Sequence, residues 1–144
     1  MSFTRDMVTA ESFNAAAEDY LPGLIGLKFT GLDVGWAEAE LEIRKGLMAP
    51  NGFLHAGAIV TLADTAAGAG CVRSLPEGAS GFTTIELKTN FIGTAREGWL
   101  DARASATHLG RTTQLWDVEV RRRETGKTIA LFRCTQMVLW SKKD

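Results

Sequence analysis

Residues 55–74 read HAGAIVTLADTAAGAGCVRS, and the fold turns on how this stretch is taken. Alanine and glycine fill Ala56, Gly57, Ala58, Ala63, Ala66, Ala67, Gly68, Ala69 and Gly70, and Asp64 is the single charge between His55 and Arg73. As a helix the segment would run about 30 Å. With so little polar surface it has to be enclosed on most sides. Each glycine weakens a helix by up to ~1 kcal/mol relative to alanine, so packing rather than propensity must hold it. A long, curved antiparallel sheet is the natural wrapper.

The rest of the chain can supply that sheet. No proline follows Pro76, so every later residue is able to donate into a strand ladder. Leu100, Ala102, Ala104 and Ala106 alternate with Asp101, Arg103 and Ser105, and Trp116, Val118 and Val120 alternate with Asp117, Glu119 and Arg121. That period of two places apolar groups on one sheet face. Between these strands His108-Leu109-Gly110-Arg111 reads as a hairpin connection in which Gly110 is free to take a positive φ. Residues 128–140, reached through Arg122 to Lys127, are apolar on both faces and belong inside the sheet or at an interface. Thr83 to Phe91 and Ala37 to Ile43 also read as strands, with 27–34 pairing to the latter. Residues 9–20 read as a short amphipathic helix ended by Leu21-Pro22-Gly23.

Composition sets outer bounds. A chain of 144 residues, 45% hydrophobic and 23% charged, is sized for one soluble domain spanning 1–144. Such a domain needs neither metal nor disulfide to hold a core, and Cys71 and Cys134 read as small core residues of a reduced protein. Sixteen basic against seventeen acidic residues leave a charge of −1, which gives no global attraction to nucleic acid or an anionic membrane. The opening MSFTRDMVTAESF has no apolar signal core, and no run approaches the ~18 apolar residues of a spanning helix, so a cytoplasmic protein is expected.

Asp64 and His55 carry the chemical interest. A carboxylate among Leu62, Ala63, Ala66 and Ala67 either reaches the helix's one solvated stripe or is a functional group whose desolvation is put to use. His55, at the start of the helix, reads structurally on its own, but the N–H groups of Ala56 and Gly57 beside it sit at the positive end of the helix dipole. Such donors can stabilise an oxyanion formed on a thioester or ester carbonyl. Nine residues separate His55 from Asp64, about 13.5 Å along a helix and half a turn around it. One chain therefore cannot bring both to one reaction centre. If both are catalytic, a second copy must supply the missing half, and the active unit is a symmetric dimer.

His55-Ala56-Gly57 followed by Leu62-Ala63-Asp64-Thr65-Ala66 resembles the HGG…LAD-T/N-A signature of the PaaI-like group of hotdog-fold acyl-CoA thioesterases. The resemblance runs over roughly residues 10–140 and includes Gly110-Arg111-Thr112, Asp117-Val118-Glu119-Val120 and Ile129-Ala130-Leu131-Phe132-Arg133. It implies an α+β hotdog fold: a long central helix wrapped by an antiparallel sheet, with homodimers that often pair into homotetramers. It implies hydrolysis of a coenzyme A thioester, of an aryl or medium-chain acid, without metal or redox cofactor. By the same resemblance Asp64 is general base or nucleophile, the Ala56 N–H polarises the thioester carbonyl from the other subunit, and His55 shapes that loop. Thr84, or its neighbour Thr83, holds the carboxylate or a water, and Arg111 beside Gly110 meets coenzyme A phosphates.

Two positions depart from the family pattern. The middle glycine of HGG is Ala56, and the family's amide six residues before the histidine is Ala49, with Asn51 the nearest amide available. Arg111 reads equally as a solvated hairpin charge, and Arg121-Arg122-Arg123 with Lys127 forms a second local basic patch. Two other readings use the same fold: a hydratase or dehydratase of enoyl thioesters, and a module that binds acyl-CoA without turnover.

Overall fold

The computed structural model describes residues 4–142. The expected domain span of 1–144 thus includes residues 1–3 and 143–144, which lie outside the described residues. In chain order the elements are α1 (Ala10–Ala16), α2 (Leu21–Ile25), β1 (Lys28–Asp33), β2 (Trp36–Glu42), a 3-10 turn (Lys45–Leu47), α3 (Ala56–Arg73), β3 (Ala79–Phe91), β4 (Trp99–Leu109), β5 (Thr113–Arg122) and β6 (Thr128–Trp140). The six strands form one antiparallel sheet in the order β1-β2-β4-β5-β6-β3. The sheet wraps α3, which is the hotdog fold.

The small residues of α3 are what let the sheet close on it. Ile59, Leu62, Ala63, Ala66, Ala67, Ala69, Gly70 and Cys71 are buried, and the partly exposed residues fall on a single stripe: Ala58, Thr61, Asp64, Thr65, Gly68 and Val72. Gly70 is needed for its lack of a side chain. A Cβ there would lie 2.6 Å from Cη2 of Trp116, the largest fully buried side chain. The indole N–H of Trp116 donates to Gln114 Oε1 at 2.8 Å, and Gln114 Nε2 donates at 3.2 Å to the Ser74 carbonyl at the end of α3. This satisfies two buried polar groups and ties the helix end to β5.

Several elements differ from the sequence reading. The first helix stops at Ala16, with Thr9 as N-cap in a capping box with Ser12. Leu21-Pro22-Gly23 begins a second short helix instead of ending the first: in a first turn the proline's missing N–H has no intrahelical acceptor to lose. Gly26, at φ 82°, terminates α2. Gly110 is not among the glycines with positive φ. It is required for closeness, since a Cβ would sit 2.8 Å from the Thr113 carbonyl oxygen. The strands at this hairpin run longer than the alternation suggested, to Leu109 and from Thr113.

β6 does lie inside the sheet, between β5 and β3. Its inner face is Phe132, Cys134, Gln136 and Val138, while Leu131, Met137 and Leu139 are exposed on the other. β3 is an edge strand, and it carries Ile85, Leu87 and Phe91 exposed. Leu87 and Phe91 pair across to Cys134 and Ala130, both buried, so they face the helix side of the sheet where α3 does not cover it.

The basic patch expected at 121–123 is largely neutralised. Arg121 pairs with Glu119 at 2.9 Å, and Arg123 pairs with both Glu40 at 2.5 Å and Asp101 at 2.6 Å. Among the described residues no helix is long and apolar enough to cross a membrane.

Candidate active site

The loop 47–54 aims the start of α3. The Ala49 N–H donates to the Phe53 carbonyl at 2.7 Å, the Leu54 N–H to Ala95 at 2.9 Å and the His55 N–H to Leu47 at 3.0 Å. Asn51 sits on the exposed tip, where its Oδ1 accepts from the Phe53 N–H at 3.2 Å. This amide oxygen is thereby committed to the loop's own turn, as asparagine commonly does.

His55 is the N-cap of α3. Its Nδ1 accepts from the Gly57 N–H at 2.8 Å, so the ring carries its proton on Nε2. Of the two backbone donors expected at this end, Gly57 is therefore occupied by the histidine itself. The Ala56 N–H meets no acceptor among the described residues, and Ala56 is exposed. The end of the helix dipole is thus presented through one N–H.

Asp64 stands eight residues further on, about 12 Å along the axis. It lies on the half-exposed stripe, which joins the two alternatives left by the sequence: the stripe exists, yet Oδ1 is buried and has no hydrogen-bond partner. Desolvation pushes its pKa up from the ordinary carboxylate value. Its charge is felt by Cys134 on β6, whose thiol is raised to about 12, first by burial and second by Asp64.

β3 begins five residues after α3 ends and its Phe82 ring covers Gly68, where a Cβ would be 3.4 Å from Cζ. Gly68 is one helical turn beyond Asp64. Two residues along β3 on the same face as Phe82 is Thr84, so the strand brings Thr84 alongside Asp64. The Thr84 hydroxyl donates to Gln136 Oε1 at 2.6 Å. Thr83 pairs with exposed Met137 and faces the other way. Gln136 was not singled out by the sequence reading. Its only sequence signal is register, since it falls in step with the inward residues Phe132 and Cys134.

Arg111 is exposed in the β4–β5 connection, its guanidinium 4.9 Å from the Trp140 ring centroid while its carbonyl accepts from the Trp140 indole N–H at 3.1 Å. It lies at the C-terminal end of α3, away from His55. Trp36 and Trp99 carry Arg103 and Arg123 in the same manner. Phe53, beside the loop, is covered by Arg96 at 4.1 Å. Among the described residues no group of three or more His, Cys, Asp or Glu side chains is arranged to hold a metal ion.

A sheathed helix with a desolvated carboxylate in its middle and an open N–H at its start defines a hotdog-fold hydrolase. Known proteins agree. The profile of the thioesterase superfamily matches residues 51–129. A 1,4-dihydroxy-2-naphthoyl-CoA hydrolase of Listeria monocytogenes is 32% identical over 83% of this chain and 95% of its own. The Escherichia coli protein of the same name is 30% identical over 92% and 96%. A crystal structure of a mutant thioesterase from Pseudomonas aeruginosa superposes with a TM-score of 0.85 at 29% identity, covering 90% of this chain and 93% of that one. The chain belongs to the thioesterase superfamily and is a thioester hydrolase.

Proposed function

We propose that the protein hydrolyses a coenzyme A thioester of an aryl or medium-chain acid, with Asp64 as general base and the Ala56 N–H of a second copy as oxyanion donor. The observation that carries this reading is the carboxylate of Asp64, desolvated and with one oxygen unpartnered, in the middle of a helix whose own open N–H is about 12 Å away. The two 1,4-dihydroxy-2-naphthoyl-CoA hydrolases among its relatives support an aryl-CoA substrate.

In the reaction Asp64 takes a proton from water as the oxygen bonds to the thioester carbon. The carbonyl oxygen becomes the oxyanion and is held by the Ala56 N–H of the other protomer. Collapse breaks the C–S bond, and the coenzyme A sulfur leaves with the proton from Asp64. No metal or redox cofactor takes part. His55 supports the site by capping Gly57, which leaves the adjoining N–H of Ala56 free, and Asn51 supports the loop that positions both. Leu87, Phe91 and Phe82, on the face of β3 that α3 leaves uncovered, line the acyl pocket. Arg111 at the α3 C-terminal end meets the nucleotide phosphates.

A desolvated carboxylate is suited to this work because a base with a raised pKa accepts a proton more readily from water. The test is release of free thiol from a panel of aryl- and medium-chain acyl-CoA esters. Asp64→Ala is expected to lose ~10²–10⁴-fold in kcat with the fold intact. Near wild-type turnover by that variant would refute the assignment.

A further inference from the structure

We propose that Gln136 is a positioning residue which fixes the direction of the Thr84 hydroxyl, so that Thr84 presents only lone pairs to the Asp64 side and receives a hydrogen from the attacking water. The inference rests on the reading of Asp64 as general base. It adds the means by which the water is aimed.

The accounting starts at Gln136, which is fully buried. Its Nε2 donates to Cys134 Sγ at 3.3 Å, two residues back on the same strand. A thiol raised to about 12 stays neutral and keeps its sulfur lone pairs available. With the amide nitrogen turned to the sulfur, Oε1 faces β3 and accepts from Thr84 Oγ1 at 2.6 Å. The two residues are direct cross-strand partners, so the pleat itself holds them face to face. A threonine hydroxyl has one hydrogen, and here it is spent on Gln136. Towards Asp64 it can only accept.

Two acceptors facing one another cannot bond, but a water between them satisfies both. It donates one hydrogen to the Asp64 carboxylate, whose Oδ1 has no other partner, and one to Thr84 Oγ1. Its oxygen lone pair is then left for the thioester carbon. The hydrogen bonds run in one sense from water through Thr84 and Gln136 to Cys134, an arrangement in which each bond strengthens the next.

The charged and titratable neighbours leave this scheme intact. Desolvation is the one cause of Asp64's shift. Cys134, from β6, is neutral, and Glu86, from β3, pairs with Thr135 at 3.2 Å on the opposite face of the sheet.

The test compares Gln136→Met with Thr84→Val in the full-length protein, using the thiol-release assay across pH. Met fills the glutamine's volume but accepts no proton from Thr84. The freed hydroxyl then donates to Asp64, which favours the charged carboxylate and moves the acid limb of kcat/KM to lower pH. kcat should fall about ten- to a hundredfold with KM unchanged, because the water is misplaced. Thr84→Val should give a similar fall in kcat with the acid limb where wild type has it. Thr84 is exposed on an edge strand, so that variant tests the proposal even if Gln136→Met unfolds. An acid limb raised by Thr84→Val would show that Thr84 donates to Asp64 in the wild type and would overturn the proposal. So would a folded Gln136→Met with wild-type kcat. Should Asp64→Asn turn over like wild type, the base assignment itself has failed, a result separable from either of these.

Discussion

Replacing Ala56 by proline isolates the backbone donor on which the proposed oxyanion site depends. Ala56 is the first residue of α3, with His55 as its N-cap at φ −65° and ψ 134°. That is the extended conformation a residue before proline prefers, and the first helical position is where proline fits without loss of an intrahelical bond. The Ala56 N–H has no acceptor among the described residues, so its removal breaks nothing in the folded chain. The melting temperature should therefore stay within about 2–4 °C of wild type, the range equivalent to ~1 kcal/mol for a domain of this size. Loss of one oxyanion donor should lower kcat ~10²–10³-fold, or about 2.7–4 kcal/mol in the barrier. The assay is thiol release from an aryl-CoA ester, with Ala56→Val as the control that adds bulk while keeping the N–H. If Ala56→Pro keeps most of the wild-type rate, or if Ala56→Val is equally impaired, the donor assignment is wrong.

Two further outcomes follow from other parts of the structure. Burial raises the Asp64 pKa, so this group's contribution to stability is full below the unfolded-state pKa and is lost as pH rises through the folded one. Asp64→Asn should thus melt higher than wild type at about pH 7.5 and lose that advantage toward about pH 4, by calorimetry, even as it loses activity. Gly70→Ala should be destabilised by about 1–3 kcal/mol in denaturant titration, because its Cβ would lie 2.6 Å from the Trp116 ring. Unchanged stability would show that Trp116 can move aside.

The central helix was legible because a run of small residues with one charge has few stable environments, and the strand alternation said what encloses it. Pro22 was misread as a stop, since its effect depends on whether it falls in the body of a helix or in its first turn. Gly110 was assigned a positive φ when its role is close approach to the Thr113 carbonyl, a distinction that exists only in three dimensions. Gln136 was hidden inside a strand dominated by apolar residues. Its register with Phe132 and Cys134 shows which way it points, but only the pairing of β6 with β3 shows that it meets Thr84. The arginines at 121 and 123 looked like a free basic patch because their carboxylate partners lie on neighbouring strands or alternate with them.

The claim on which everything else depends is that Asp64 of one chain works with the Ala56 N–H of another. Co-expression of Ala56→Pro and Asp64→Ala chains tests it directly. Each variant alone lacks one group at both sites, whereas a mixed dimer holds one complete site, with Asp64 from the first chain and the Ala56 N–H from the second. Equal random mixing should restore about a quarter of wild-type activity, since half the dimers are mixed and each has one working site of two. Activity no greater than that of either variant alone would contradict the shared site.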